Sequence, residues 1–350
     1  MRFNLITMRF TLLLLTLWVQ NSLSAQESKR ISLFENLYHQ DSIRITLTFP
    51  YDSLTKSNNN EIDALISIES NRGSLVTNQP LTLNLRGKFR RMKCNFPPLL
   101  LNFKKSMLKS MDLKNVDEMK LVTHCITGEE GQQNLQEERM LYQVYETITP
   151  MSYRTIWVTV YYCDQSHPAA RDTSAGFLLE PDADISDRLG VYEKKIFNPA
   201  EDSLLYESYG HAAAFNFLIG NRDWSVVGAR NAKLFYDKAI GKYIVIPYDF
   251  DFSNVVAASY RRENLPPNMI HPFDRIYQGE YFKDKAGQIL KSFYSFRDPI
   301  INTVKTARNP MGEERRNQIT KYFEKWFNMV KKNRAGDLPY DCVCPYNGGL

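Results

Sequence analysis

The chain has 350 residues, of which 43% are hydrophobic and 24% are charged, and its formal net charge is +5 at pH 7. A chain of this length can bury a sizeable core, as one two-lobed domain or two modest domains. The charge is too small, and the basic residues are too dispersed, to indicate a nucleic-acid-binding protein.

The first 25 residues have the features of a secretory signal peptide. Arg2 and Arg9 provide a positive region, residues 10–19 (FTLLLLTLWV) form an apolar stretch too short to span a bilayer, and Ala25 is a plausible cleavage point. No later run approaches 18 apolar residues. The sequence therefore predicts an exported chain, periplasmic or extracellular, without a transmembrane segment after signal cleavage.

Residues 26–182 form the first predicted unit, a strand-rich lobe. Apolar and polar residues alternate from Ile43 to Phe49, and the segments ALISIES, LTLNLRG, LLLNF and MKLVTHC continue the pattern of half-buried strands. From Leu135 to Ile148 the apolar spacing becomes helical. The strand-like segments TIWVTVYY and AGFLLE follow this helix.

Residues 183–350 form the second predicted unit, a helix-rich lobe. A helix from Leu204 to Ile219 ends at Gly220, a favourable C-terminal stop. The polar loop NRDWSVVGAR follows, and then a hairpin of two strands, NAKLFYD and KYIVIPYDFD, joined by the turn KAIG. An amphipathic helix from Ile319 to Val330 closes the chain, and the whole predicts one α+β unit.

The run IVIPYDFDF, residues 244–252, places Asp249 and Asp251 at the end of a strand-like segment. In an extended chain both side chains point the same way, about 7 Å apart. At that separation two carboxylates repel by about 2.4 kcal/mol at an effective dielectric of 20, so a metal, a cationic side chain or a shared proton is needed. The alternative is that Pro247 ends the strand and both aspartates lie solvated in a turn.

Asp223 and Asn231 precede this pair in an order typical of phosphotransferases. Such enzymes need one aspartate in a loop to orient the attacking hydroxyl, an asparagine to hold a cation, and a further aspartate to hold the metal that bridges the phosphates. The predicted hairpin would bring the loop and the strand end together. The sequence contains no G-x-S-x-G, P-loop or H-E-x-x-H motif, which argues against a standard hydrolase.

Four segments of the chain resemble the spore-coat protein H (CotH) kinase-like family. GNRDWSVVGARN and YIVIPYDFDF are similar to its N-x-D-W loop with a downstream Asn and to its D-x-D strand end. LNLRGKFRRMKCNFPPLLLNFKK and AGFLLE resemble its L-R-G and G-x-Y-x-x-E segments, and together the four cover most of residues 81–255. The resemblance implies an atypical protein-kinase-like two-lobed fold, with a strand-rich N-lobe and a helix-rich C-lobe.

The resemblance also implies roles for individual residues. Asp223 would be the catalytic base, Asn231 and Asp251 would bind Mg²⁺ or Mn²⁺, and Asp249 would support a second metal position or orient the first. Glu180 would be either a nucleotide contact or an ordinary strand-end charge. Arg86 would be either a phosphate ligand of ATP or a structural ion-pair partner.

Two features depart from the family pattern. Asp223 and Asn231 are separated by more residues than the family usually shows, so the loop carries an insertion. Where the family has a phosphate-binding lysine in P-K-K-S-Y, this chain has PPLLL. Lys104, Lys105, Lys120 or an arginine of RGKFRR could replace that lysine, with a helix glutamate such as Glu138 as its partner.

All five cysteines follow the predicted signal peptide. Export favours disulfides, and Cys94 with Cys125 is the preferred pair because each ends or flanks a strand-like segment in the same lobe. Cys342 and Cys344 are separated by one residue and have no second Cys or His pair nearby, which does not suit a zinc site. The odd number leaves at least one thiol free or paired between chains.

Two functions are compatible with these features. The first is an exported phosphotransferase, an atypical protein kinase that uses ATP and Mg²⁺ or Mn²⁺ on a secreted or surface protein. The second is a catalytically inactive relative that serves as a binding or assembly module of the cell envelope. The order of Asp223, Asn231 and Asp251 favours the first, whereas the missing lysine and the longer loop favour the second.

Overall fold

The computed structural model describes residues 30–51, 61–94, 96–167, 171–261, 271–307, 311–333 and 343–344. The predicted signal peptide, residues 1–25, and Cys342 lie outside these ranges. Among the helices of the described ranges, none combines the length and the apolar character that crossing a membrane requires.

The first half of the chain forms a closed barrel of seven strands in the order β1-β2-β3-β4-β5-β7-β6. Strand β1 pairs antiparallel with β2 on one side and parallel with β6 on the other, and this parallel pairing closes the ring. In it Ile43 lies opposite Val158, and Phe49 lies opposite Asp164. The barrel strands are β1 (Ile43–Phe49), β2 (Glu61–Ser70), β3 (Gly73–Leu85), β4 (Leu99–Phe103), β5 (Glu118–Thr123), β6 (Thr155–Asp164) and β7 (Arg171–Leu179).

The alternation of apolar residues explains the inside of the barrel. In β1 the apolar side chains at positions 43, 45, 47 and 49 are all buried, whereas the polar residues between them are exposed or half-buried. Burial alternates along β2 as well, except that Leu65 is exposed and Ser70 is buried. Together these side chains form a hydrophobic core inside the ring, with further contributions from β3 to β7 and the short helix α1 (Leu33–Tyr38).

The predicted kinase-like two-lobed fold is wrong, because a closed barrel is not the strand-rich lobe of a typical kinase. The alternation of apolar residues predicts that a segment is a strand, but it does not say which strand is its neighbour. Closure depends on pairing residue 43 with residue 158, and nothing local in the sequence signals a contact over that distance.

The second half of the chain packs helices around a three-stranded antiparallel sheet in the order β10-β9-β8. The predicted hairpin is present, with β9 and β10 joined by a turn at Gly241. The strands are β8 (Tyr192–Lys194), β9 (Ala232–Asp237), β10 (Lys242–Pro247) and a two-stranded pair, β11 (Arg275–Ile276) with β12 (Val343–Cys344). The remaining helices are α2 (Lys88–Lys93), α3 (Lys105–Ser110), α4 (Gly128–Ile148), α5 (Asp182–Leu189), α6 (Tyr206–Ile219), α7 (Ala286–Phe293), α8 (Arg297–Thr306) and α9 (Glu313–Lys332).

Helix α4 connects the two halves of the molecule. It lies in the chain between β5 and β6 of the barrel, but its buried side chains, including Leu141, Val144 and Tyr145, belong to a second core shared with α6 to α9 and the β9–β10 hairpin. It begins at Gly128, one to two turns before the predicted start. Glu138 and Tyr142, in the middle of this helix, line the space between the barrel and the second core, where the candidate site lies.

Candidate functional site

The loop after α6 is shaped by Gly220, which has φ +67° and caps the helix in the left-handed conformation. A Cβ at this position would lie 2.4 Å from Asn254 Nδ2, so glycine is required by both the backbone conformation and the close approach. Asn221 then folds back, donating from Nδ2 to Asn216 Oδ1 and accepting at Oδ1 from the Asp223 N–H (2.9 and 3.0 Å). This turn presents the Asp223 carboxylate beyond the helix end.

Asp223 and Asn231 are in contact despite their separation in the sequence. Asn231 Nδ2 donates to Asp223 O at 2.6 Å and to Asp223 Oδ2 at 3.0 Å, and Arg230 Nε lies 3.2 Å from Oδ1. The inserted residues fold into a closed loop through paired backbone hydrogen bonds between Ser225 and Arg230, and Glu280 accepts from the loop N–H groups of residues 226 and 227. The insertion therefore leaves the pair of Asp223 and Asn231 intact.

The end of β10 differs from both interpretations of the sequence. The strand ends at Pro247, as the alternative predicted, and Asp249 has φ +63°, so the two aspartates do not lie on an extended chain. They are not both solvated, however, because Asp251 is 3% exposed. The Asp249 N–H donates to Tyr142 Oη of α4 at 2.8 Å, which attaches this turn to the helix.

Arg90 of α2 supplies the positive charge that the two aspartates need. Its Nη2 lies 2.5 Å from Asp249 Oδ1, 2.7 Å from Asp251 Oδ2 and 4.0 Å from Glu138 Oε1. Of the three forms of compensation expected from the sequence, the structure contains the cationic side chain. One guanidinium nitrogen thus lies among three carboxylates that come from two different parts of the chain.

Burial dominates the electrostatics of this cluster. It raises the pKa of Asp251 to about 6 even though Arg90 acts in the opposite direction, and it raises the pKa of Glu138 well above its usual value. Burial also opposes the charge of Arg90, but Asp249 and Asp251 hold the pKa of the guanidinium well above its ordinary range. Buried charged groups with shifted pKa values, such as Arg90, Asp251 and Glu138, often mark a functional site.

The cluster lies in a cleft of about 310 Å³ between the barrel and the second core. Its polar wall carries Arg86, Arg90, Glu138, Asp223 and the two aspartates after β10. Its apolar wall is built from Pro98, Val122, Tyr142, Leu179, Tyr248 and Phe252. A concave site with an apolar wall and a few converging charged groups is the usual form of a small-molecule binding site.

A disulfide connects the elements that carry Arg90 and Glu138. Cys94 and Cys125, the pair preferred from the sequence, have sulfurs 2.02 Å apart. Cys94 is the C-cap residue of α2, where its N–H donates to Arg90 O, and Cys125 lies just before α4. Within the described ranges Cys163 is a free cysteine.

Two of the predicted nucleotide contacts lie away from the cleft. Glu180 is fully buried and held by two arginines, Arg154 (Nε–Oε1 3.0 Å) and Arg188 (Nη2–Oε2 2.9 Å), which is the ordinary ion-pair role. Lys120 lies 5.6 Å from the Tyr248 ring centroid, and Asp182 is 3.6 Å away. Burial lowers the pKa of this lysine to about 8. Tyr248 lines the cleft and Lys120 contacts it without lining the cleft itself.

Arg90 is the residue that sequence reasoning did not single out. It belongs to the run RGKFRR. The sequence predicts that an arginine of this run could replace the missing lysine, but it does not indicate which one. The useful signal is the distance to the predicted disulfide, because Arg90 lies one helical turn before Cys94. Tyr142, which holds the Asp249 turn, has no comparable signal in the sequence.

The donors of the cleft are of the kind that a hard divalent cation prefers. Asp249 and Asp251 offer carboxylate oxygens, and Asn231, whose amide nitrogen donates to the cleft residue Asp223, carries an amide oxygen. Asp251 Oδ2 is buried and, within the described ranges, accepts no hydrogen bond of good geometry; it lies 2.7 Å from Arg90 Nη2, and a hydrogen bond from Tyr260 also stabilises the charged Asp251 carboxyl group. No cluster of three His, Cys, Asp or Glu side chains with metal-site geometry occurs among the described residues. Asp249 and Asp251 offer two carboxylates of the kind that such a cation takes, and Arg90 occupies the space beside both of them.

No protein-family model matches the chain, and no curated protein matches it. Membership of the CotH kinase-like family therefore stays a prediction that depends on the motifs described above.

Proposed function

We propose that the protein is an exported phosphotransferase that transfers the terminal phosphoryl group of ATP to a hydroxyl group of a secreted or surface protein. The observation that carries this proposal is the meeting of Asp223, from the loop after α6, with Asp251 and Arg90 in one cleft. These are the three kinds of group that phosphoryl transfer needs: a carboxylate for the nucleophile, a carboxylate for a cation and a positive charge for the phosphates.

Asp223 has the geometry of a residue that orients a hydroxyl. Its side chain is 36% exposed and lines the cleft, while Asn231 and Arg230 hold both carboxylate oxygens from behind. An anchored carboxylate at the edge of a cleft can accept a hydrogen bond from an incoming serine, threonine or sugar hydroxyl and take its proton as the bond to phosphorus forms.

Arg86 and Arg90 are the groups that would bind the phosphates of ATP. Both line the cleft, and Arg90 is held by Asp249 and Asp251 at 2.5 and 2.7 Å, with Glu138 at 4.0 Å. A planar guanidinium can bind two phosphate oxygens at once, which a lysine cannot do. This supports a role for Arg90 in place of the lysine that the PPLLL segment lacks.

A divalent cation would be held by Asp251, Asp249 and the Asn231 amide oxygen. When bound, Mg²⁺ or Mn²⁺ would neutralise phosphate charge. The buried Asp251 Oδ2, which lacks a well-formed hydrogen bond, is the observation that supports this donor set.

Export is part of the proposal because two independent features agree. The first 25 residues have the composition of a signal peptide, and Cys94 and Cys125 form a disulfide. Disulfides persist outside the reducing cytoplasm.

The test is incubation of the purified protein with labelled ATP, Mn²⁺ or Mg²⁺, and a mixture of exported proteins. We expect labelling by the wild type that Asp223→Asn and Asp251→Asn each reduce by at least a hundredfold. Lys233→Met, which removes a charge outside the cleft, is the control and should keep the labelling within threefold. Absence of labelling by the wild type, or labelling by both aspartate variants at the level of the wild type, would rule out the enzyme.

A second function, that of an inactive binding module, is favoured by one observation. Arg90 already neutralises Asp249 and Asp251, so these carboxylates have a partner without any metal ion. Thermal-shift titration separates the two functions. A rise in the melting temperature with ATP that requires Mg²⁺ or Mn²⁺ supports the phosphotransferase, whereas no shift at millimolar ATP supports the binding module.

A further inference from the structure

Glu137 and Glu138 are consecutive buried residues of α4 that hold two different arginines. Glu138 is 4% exposed and lies next to Arg90 at the cleft. Glu137 is fully buried and faces away, toward Arg315 of the C-terminal helix α9. Consecutive residues of an α-helix point about 100° apart, so one turn of α4 contacts both the cleft and α9.

Arg315 binds the Glu137 carboxylate and the Val255 carbonyl oxygen, and these three residues form what we call the clamp. Its Nε donates to Glu137 Oε1 at 2.6 Å and its Nη2 to Glu137 Oε2 at 3.2 Å, which is a bidentate pair. The same Nη2 donates to the backbone carbonyl of Val255 at 2.8 Å. Val255 is fully buried and follows Asp251 in the same turn-rich segment. One guanidinium therefore joins α4 to the segment that carries the cleft aspartate.

A second contact from α9 reaches the same segment. Asn254, also fully buried, donates from Nδ2 to Tyr322 Oη at 3.1 Å. Tyr322 lies two helical turns after Arg315 and on the same side of α9. The segment after Asp251 is thus attached to α9 at two neighbouring residues, while α4 is attached to α9 through Glu137.

We infer that Arg315 is a positioning residue for the cleft, which fixes the distance between Glu138 with its partner Arg90 and Asp251. The inference deepens the proposed function and rests on it for its effect on nucleotide binding. Arg315 touches no cleft group itself and acts through Glu137 and Val255. It gives the C-terminal helix a direct part in the site, although α9 does not line the cleft.

A second Arg–Glu pair, which joins α8 to α9, serves as the control. Arg297 of α8 donates from Nε and Nη2 to Glu324 of α9 at 3.0 and 2.5 Å, another bidentate Arg–Glu pair. Among the described residues, its partners are Glu324 and Asp298, and neither belongs to α4 or to the aspartate segment. Arg297→Lys therefore weakens α9 packing without touching the clamp, whereas Arg315→Lys keeps the charge but cannot hold Glu137 bidentately and Val255 at once.

The first experiment measures hydrogen exchange by mass spectrometry on the full chain, below the unfolding transition of every variant. We expect Arg315→Lys to speed exchange in residues 249–256 at least tenfold and Arg297→Lys to change it less than twofold. Glu137→Gln, which keeps an acceptor for Arg315, gives a second variant in case Arg315→Lys folds poorly, and should speed exchange in the same segment. Unchanged exchange in both clamp variants, or an equal increase in the control, would overturn the inference.

The second experiment titrates ATP with Mn²⁺ against the same variants. We expect Arg315→Lys to weaken binding at least tenfold and Arg297→Lys less than twofold. Wild-type protein that binds no ATP would contradict the proposed function, while the exchange measurement would still decide whether Arg315 positions the segment. Normal ATP binding by Arg315→Lys would overturn the positioning role.

Discussion

Arg90 Nη2 lies 2.7 Å from Asp251 Oδ2, and the two side chains are 12% and 4% exposed. This buried ion pair joins a short helix that follows the third barrel strand to the turn that follows the β9–β10 hairpin. It therefore holds the two halves of the cleft together, and it determines how the cleft responds to mutation, pH and reduction.

Removing Arg90 should strongly destabilise the protein, because it leaves Asp249, Asp251 and Glu138 without their shared cation. Loss of one partner of a buried ion pair costs about 3–5 kcal/mol in the free energy of unfolding. Urea denaturation of Arg90→Met checks this. The control is Arg44→Met, since the Arg44–Glu69 pair is about half exposed and should contribute at most about 1 kcal/mol. Equal losses in the two variants would contradict the role of Arg90.

The contribution of Asp251 to the stability of the protein should increase as the pH falls from about 6 toward 4. Burial raises the pKa of Asp251 from 3.8 to about 6, so between these values the folded state binds more protons than the unfolded chain. The contribution of one such group changes by up to about 1.4 kcal/mol per pH unit. When the free energy of unfolding is measured at several pH values, it should rise less on acidification in Asp251→Asn than in the wild type. Identical slopes would mean that Asp251 titrates normally.

Reducing the Cys94–Cys125 disulfide should lower stability and loosen Arg90. The bond closes a loop with a sequence separation of 31, for which the chain-entropy model gives a loss of about 3–4 kcal/mol. Melting temperatures with and without reductant measure this loss, and Cys94→Ser with Cys125→Ser should remove the part of the reductant effect that this bond causes. Cys163→Ser, at the free cysteine, should respond to reductant as the wild type does.

Gly220→Ala should be more damaging than Gly190→Ala. Both glycines cap helices with nearly the same backbone conformation, φ +67° and +68°, so each alanine costs about 1–2 kcal/mol of backbone strain. At Gly190 a Cβ meets nothing within 4 Å, whereas at Gly220 it meets the Asn254 side chain. Crowding should add about 1–3 kcal/mol at Gly220 alone. Chemical denaturation of both variants measures the difference, and equal losses would show that Asn254 moves aside freely.

The parts of the site that could be predicted from the sequence are those set by local order. The hairpin, the helix that ends at Gly220 and the preferred disulfide follow from apolar period, glycine position and cysteine context. The contact between Asp223 and Asn231 follows from the same local order, since one loop carries both residues.

Arg90 and the barrel could not be predicted in this way. Which arginine of RGKFRR reaches Asp251 depends on where α2 lies relative to β10, and that depends on strand pairing and helix packing far along the chain. The parallel neighbours β1 and β6 have ordinary alternating sequences that would fit an open sheet as well. Glu180 likewise fits a nucleotide contact until its two arginine partners are seen.

The closure of the barrel has a consequence for how the protein folds. Residue 43 of β1 pairs with residue 158 of β6, and every other pairing in the ring joins strands that lie closer together in the chain. We therefore expect β1 and β6 to pair after the other strands. Bringing such distant segments together costs chain entropy before any contact compensates for it, and topologies of this kind fold slowly. The first strand therefore keeps an unpaired edge until a late step of folding. During that interval the chain is exposed to pairing with a second copy of itself.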